Sequence, residues 1–232
     1  MSARRIFKDA RSAILESPGS ELAAQFIAAL PVDGASVSVL AGPVSGHTVS
    51  ASDAIATRLD ELQFDLGEGP CWTALAHRVP VLMDAGAQGP EWPTFRAAVA
   101  SDPVTGSVGA LYAFPLAIGA LDIGAIDLYT GGSRMLAPEL VSEASALADV
   151  AAWRELRTIL QDHAQPYDSD SIGYSRREVH QATGMIVVQL DVTPEDAELL
   201  LRAHAFSGGR TVREVAKDVV ARRLDFSKRS AD

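Results

Sequence analysis

The residue types that carry chemistry are present in this chain, but their spacing keeps most of them from acting together. Five histidines, His47, His77, His163, His180 and His204, never form a close pair or an HExxH pattern, so no spacing sets two imidazoles around a metal ion. The single cysteine, Cys71, excludes an internal disulfide framework and a multi-cysteine zinc site. Gly42–Thr48 resembles a phosphate loop, yet it is one residue short and carries His47 where the lysine must stand. No GxGxxG or GxSxG pattern occurs. Cys71 follows Gly67-Glu68-Gly69-Pro70 and would sit near a helix N-terminus, where a thiol ionises more easily. A small cysteine fixed by packing is the stronger reading. The expectation is a chain that is not an enzyme, with no metal site and no cofactor that the sequence names.

The elements that must position any site come in two groups. Residues 1–30 read as helix broken at Pro18-Gly19, into Ile6–Leu15 and Glu21–Leu30. Ala35–Ala41 alternates Val37, Val39 and Ala41 against Ser36, Ser38 and Leu40, as a strand does. Gly42–Gly46 reads as a turn into a second strand at His47–Ser50, and Asp53–Gln63 as a helix capped by Ser52. After the Leu66–Pro70 loop come a short helix through Cys71–His77, a strand at Val79–Met83 and a helix at Trp92–Ala100. Ser107–Leu116 and Leu121–Leu128 are apolar strands joined around Gly119 as a hairpin. Pro138 opens a long helix to about His163, with apolar residues at Leu140, Ala144, Leu147, Ala151, Leu156 and Leu160. The pattern predicts an α+β domain, an antiparallel sheet flanked by helices, over residues 1–165. Gln165–Gly173 reads as a linker, and 166–232 as a second domain.

That second domain reads as three short amphipathic helices. Ser175-Arg176-Arg177-Glu178 fits a capping box, and Val179, Ala182, Ile186 and Leu190 then trace one helical face. Thr193-Pro194-Glu195-Asp196 opens a second helix with an apolar face of Ala197, Leu200, Leu201 and His204, stopped by Gly208-Gly209. Thr211-Val212-Arg213-Glu214 is a further capping box, followed by Val215, Ala216, Val219 and Val220. His204 is expected to pack in the core.

Charge separates the two parts. The net charge of −10 argues against a polyanionic partner, but Ser171–Asp232 holds ten basic and nine acidic residues, leaving ten basic against twenty-one acidic before it. With 47% hydrophobic and 22% charged residues, the chain is neither disordered nor collagenous. No run approaches the ~18 apolar residues of a spanning helix, and Met1–Ala10 lacks a signal core. A cytoplasmic protein without a membrane partner is expected.

The stretch from Arg177-Glu178-Val179-His180-Gln181-Ala182-Thr183-Gly184-Met185, through Leu199–Ala205, to Val212–Ala216 resembles an ANTAR domain. Leu66–Cys71, Trp92-Pro93-Thr94-Phe95 and the hairpin of Phe114-Pro115-Leu116 with Gly124–Tyr129 resemble a GAF sensor domain, of the kind fused to ANTAR in actinobacteria. The resemblance implies a dimeric regulator that binds paired RNA stem-loops in a leader transcript and so prevents a terminator hairpin from forming. RNA loops are held through splayed bases and backbone charge, which directs attention to Arg213 and Lys217, one turn apart, with Arg202 and Arg210 across the Gly208-Gly209 turn. Gln181, Ala182 and Gly184 match the family's signature in the first helix. Gly184 costs ~1 kcal/mol against alanine there, so something should approach it closely. Many relatives carry lysine where this chain has Thr183. A phosphorylatable receiver needs a lysine, and this chain has none between Lys8 and Lys217. In the sensor part, Cys71, Trp72, Trp92, Phe95 and Phe114 are candidates to line a small-molecule site between sheet and covering loops. The competing readings are a bundle that docks a protein partner and a helix-turn-helix on DNA, though helix three lacks a dense basic face.

Overall fold

The structure, a computed structural model, describes residues 3–40, 46–87, 89–132, 135–162 and 177–227. Helix α1 (Ala3–Glu16) stops ahead of Pro18, and one 3-10 turn (Gly19–Glu21) redirects the chain into α2 (Leu22–Ala29). Strands β1 (Gly34–Val39) and β2 (His47–Ala51) precede α3 (Ala54–Leu66) and α4 (Pro70–His77). Strand β3 (Val81–Asp84), helix α5 (Pro93–Ser101) and the hairpin of β4 (Val108–Ile118) and β5 (Leu121–Gly131) lead into the long helix α6 (Pro138–Asp162). Helices α7 (Arg177–Leu190), α8 (Pro194–Ser207) and α9 (Val212–Val220) follow. The described residues divide into two compact units, one reaching to the end of α6 and one made of α7 to α9.

The first unit is the expected α+β architecture: a five-stranded antiparallel sheet in the order β2-β1-β5-β4-β3. Both faces are covered. Phe114, Ile126 and Leu128 of the sheet pack under α1, α2 and α6, Phe26 coming from α2; Met83 and Leu111 of the sheet pack against Leu59 of α3 and Phe95 of α5. A β1 strand alternating Ser and Val would suit a sheet with one wet face. Instead all six residues are buried, because α3 brings Asp60 over the serine side, where Ser38 donates to it at 2.5 Å.

The structure moves two boundaries. Asp53, rather than Ser52, caps α3: its carboxylate accepts from the amides of Ile55 and Ala56, satisfying two orphan donors. Ser52 is turned back to accept from the amide of Ala35. Strand β3 starts at Val81 rather than Val79, after Arg78 in a left-handed conformation. Most of the Gly42–Gly46 turn, the Gln165–Gly173 linker and the start of the Ser175–Glu178 capping box lie outside the described residues.

Two segments that carried the sensor resemblance meet in one knot. Gly69 has φ +142°, and a Cβ there would lie 2.6 Å from Gln63, so only glycine fits. The loop it ends presents Glu68, whose Oε1 accepts from the amides of Thr94 and Phe95 at 2.8 and 3.0 Å. Trp92, the residue before α5, has no capping side chain; Glu68 does that work from across the chain. Trp92 Nε1 donates to Thr73 Oγ1 at 2.9 Å, tying α5 to α4.

Candidate nucleic-acid interface

The core of the second unit is small and apolar. Val179, Ala182 and Ile186 of α7 face Ala197, Leu201 and Ala205 of α8 and Val212, Val215, Ala216 and Val219 of α9, all buried. Thr193 caps α8 by accepting from the amide of Asp196, and Thr211 with Glu214 closes a complete capping box on α9. Backbone hydrogen bonding at Thr211 is the main cause that holds the Glu214 carboxyl below the usual range.

The basic residues singled out in the sequence fall into different settings. Arg210 reaches along α9, donating to the Glu214 carbonyl at 3.1 Å and to Asp218 at 2.7 Å. Arg223 donates to the other oxygen of Asp218 at 2.7 Å, and the two guanidinium groups, Arg210 foremost, lower the Asp218 carboxyl below its ordinary value. Arg202 pairs with Glu198 one turn back, at 3.4 Å. Arg213 faces Glu178 of α7 at 3.8 Å, so the N-terminal ends of α7 and α9 meet. Lys217 is exposed one turn further along α9.

The signature residues of α7 also divide. Gln181 and Gly184 are exposed, whereas Ala182 is fully buried; its methyl packs the bundle and cannot reach a nucleic acid. Thr183 is buried too, its hydroxyl donating to the Val179 carbonyl at 2.9 Å, so this position points inward rather than toward a ligand. Close packing within the unit does not explain Gly184: a Cβ there would meet nothing within 4 Å. His204, expected in the core, is exposed on α8, with its ring edge-on to Phe226 at 5.4 Å. Leu200, expected beside it, is also exposed, because the α8 face turned inward runs Ala197, Leu201, Ala205.

Sequence reasoning missed a groove of about 880 Å³ on this unit, bounded on α7 by Gln181, Gly184 and Val188 and opposite by Val220, Arg222 and Leu224. The signal was available: Val188 continues the Gln181–Gly184 face at helical spacing, and Arg222 follows directly on α9.

In the first unit, Cys71, Trp72, Trp92 and Phe95 lie on the α3–α5 side of the sheet. Phe114 packs on the opposite side, under α1, α2 and α6, because it has the other parity along β4. It cannot share a site with the other four. Cys71 and Phe95 are buried in side-chain packing, and none of the five lines the 400 Å³ cavity found between β3, the start of β4 and α5. What the sequence reading missed on this side is polar. Asp60 accepts from Ser38 and Thr48, both at 2.5 Å. Gln63 donates to Asp127 Oδ2 at 2.5 Å and accepts from the amide of Cys71 at 2.8 Å. Burial, then the nearby Asp60, pushes the Asp127 carboxyl up to about 8, and its Oδ1 is buried without a hydrogen-bond partner. The signal was a lone carboxylate inside the apolar run Gly124–Tyr129.

Among the described residues there is no cluster of three or more His, Cys, Asp or Glu that could hold a metal ion, and no helix long and apolar enough to cross a membrane.

Residues 174–220 match the family model of the ANTAR domain. No curated protein matches the chain. Among solved structures, the chain is similar to the GAF domain from a phosphoenolpyruvate-protein phosphotransferase of Coxiella burnetii, at 14% identity and a TM-score of 0.56, covering 69% of this chain and 96% of that one. It is also similar to the phycoerythrobilin-bound GAF domain of a cyanobacterial phytochrome, at 11% identity and a TM-score of 0.50, over 70% of this chain and 99% of that one. At such identities the likeness establishes the fold.

Proposed function

We propose that this chain, which joins a GAF-fold unit to an ANTAR domain, is a signal-responsive regulator that binds paired RNA stem-loops through α7 to α9 and so promotes antitermination. The ANTAR match over residues 174–220 carries this reading. The local geometry supports it: Arg213 and Lys217 stand one turn apart on α9, with Arg213 facing Glu178 near the start of α7, the helix that presents Gln181 and Gly184. Phosphate contacts from such residues fix the position of an RNA without reading its sequence. We assign the division between sensor and RNA-binding domain to the segment about residue 165.

In this reading the GAF-fold unit receives the signal, with a small molecule on the α3–α5 side of the sheet, where Cys71, Trp72, Trp92 and Phe95 lie. Helix α6 pairs with its copy in a homodimer and sets whether two RNA-binding modules are presented together. The experiment is binding of the full chain to a paired hexaloop RNA at about 50 and 200 mM salt, beside an Arg213→Ala/Lys217→Ala variant. Affinity that falls steeply with salt, with a shallower slope in the variant, supports the reading. Salt-independent binding, or none, removes it.

One observation favours a second reading, in which the bundle docks a protein. Leu199 and Phe206, two turns apart on α8, are 64% and 69% exposed, which puts two large apolar side chains on one helical face where a protein partner could cover them. A Leu199→Ser/Phe206→Ser variant separates the two: RNA binding unchanged, partner binding lost.

A further inference from the structure

We infer that the groove beside Gly184 is a pocket for one unstacked base of the bound RNA loop, with Arg222 holding the adjoining phosphate. The inference rests on the RNA-binding reading above and adds where, and by what chemistry, sequence is read.

Three observations lead to it. First, Gly184 sits in the middle of a helix, at a cost in helix propensity, and nothing in its own unit uses the space that this leaves. A missing side chain facing open solvent on a folded helix is what close approach by another molecule's backbone requires. Second, the walls are apolar and amide-bearing, with the Asp225 carboxylate, which accepts from the amide and hydroxyl of Ser227 at 3.0 and 2.7 Å, as a third part of the lining. Val188 is 84% exposed and, with Leu224, gives the groove an apolar lining suited to the face of a heteroaromatic ring. Gln181 and Gln189 bring amides, which both donate and accept and so match the polar edge of a base. Gln189 is already oriented: its Oε1 accepts from the amide of Phe226 at 3.0 Å, leaving its NH₂ to donate. Third, the far wall is held in place. The segment after α9 is pinned to α7 by that hydrogen bond and meets α8 through the His204–Phe226 ring contact. It carries Arg222 at φ +58°, a conformation that costs an arginine energy and that sets this exposed side chain at the mouth of the groove. An apolar slot with oriented amides and a guanidinium at its mouth fits a nucleotide better than it fits an apolar helix, which would leave the amides and the guanidinium desolvated and unpaired.

The test uses the full chain and an RNA hairpin with a hexanucleotide loop, read by fluorescence anisotropy. Each loop nucleotide is replaced in turn by an abasic one. Gly184→Leu fills the groove, and Arg222→Gly removes the guanidinium while relieving the backbone. Leucine outranks glycine in a helix and meets open space here, so Gly184→Leu should melt no lower than the parent. The expected result is that one abasic position weakens binding roughly tenfold, that Gly184→Leu does the same, and that the two losses do not add. Arg222→Gly should lower the salt slope by about one. If the parent binds the hairpin while Gly184→Leu and Arg222→Gly bind it equally well, the pocket is overturned and the RNA-binding reading stands. Losses that add at every loop position overturn it as well, as does a change in oligomeric state on Gly184→Leu without RNA, which would make the groove a contact between copies. No binding by the parent overturns both readings.

Discussion

Asp127 is the residue at which the first unit departs furthest from an inert core. A carboxyl buried on the α3–α5 side of β5, with one oxygen bonded to Gln63 and the other to nothing, costs more to ionise than to keep protonated. Its proton is therefore held in the folded chain up to about pH 8, against about 4 in the unfolded one. Since the folded state holds a proton that the unfolded state releases, this group's contribution is fully present below about pH 4. It is lost as pH rises toward 8, at up to ~1.4 kcal/mol per pH unit. Asp127→Asn keeps the shape and removes the ionisation. The variant should gain in melting temperature over the parent as pH is raised from 5 to 8, with the two converging at the acid end. Parallel melting profiles across that range would mean that Asp127 is not the buried proton carrier.

Among the elements, α5 depends on a partner remote in sequence. Its N-terminal amides at Thr94 and Phe95 are satisfied by Glu68 and not by a residue beside them. Glu68→Ala should therefore cost about 1–2 kcal/mol in denaturant unfolding, whereas Glu68→Gln, which keeps an acceptor oxygen, should recover part of it. Equal losses for both would point to charge at the helix end rather than to the hydrogen bonds. Local rules read the elements well where the decisive partner is near in sequence. The Thr193 and Thr211-Glu214 caps, the Pro18 break, the β4–β5 hairpin and the α6 span were all legible. They misread positions settled by a distant neighbour. Ser52 loses the α3 cap because Ala35 claims its hydroxyl, and Phe114 leaves the aromatic set because parity along β4 sends it to the other face. Ala182 and Gly184, two residues apart on one helix, end with opposite exposures. The signature identified the helix, but only its packing against α8 and α9 tells which of its residues a ligand can touch.

At the scale of the whole molecule, α6 is the element through which the proposed regulator would couple signal to RNA binding. Arg154 and Arg157 donate to the carbonyls of Ser17 and Leu15, binding α6 to the end of α1, so its inner face is committed to the first unit. Its outer face is not: Trp153 and Leu160 are 60% and 64% exposed, and their spacing of seven is that of a two-helix seam. In the proposed homodimer these residues meet their copies. Paired stem-loops are then engaged by two linked modules, and the second contact forms at the effective concentration set by the first. Trp153→Ser/Leu160→Ser should turn the dimer into monomer in sedimentation equilibrium without lowering the melting temperature, because neither side chain supports the core. The same variant should bind a single stem-loop as the parent does and lose about 100-fold on the paired RNA, the low end of what linkage supplies. A variant that remains dimeric places the seam elsewhere. One that becomes monomeric yet keeps full affinity for the paired RNA breaks the link between dimerisation and recognition, and α6 would then have no means of passing a signal to the RNA-binding modules.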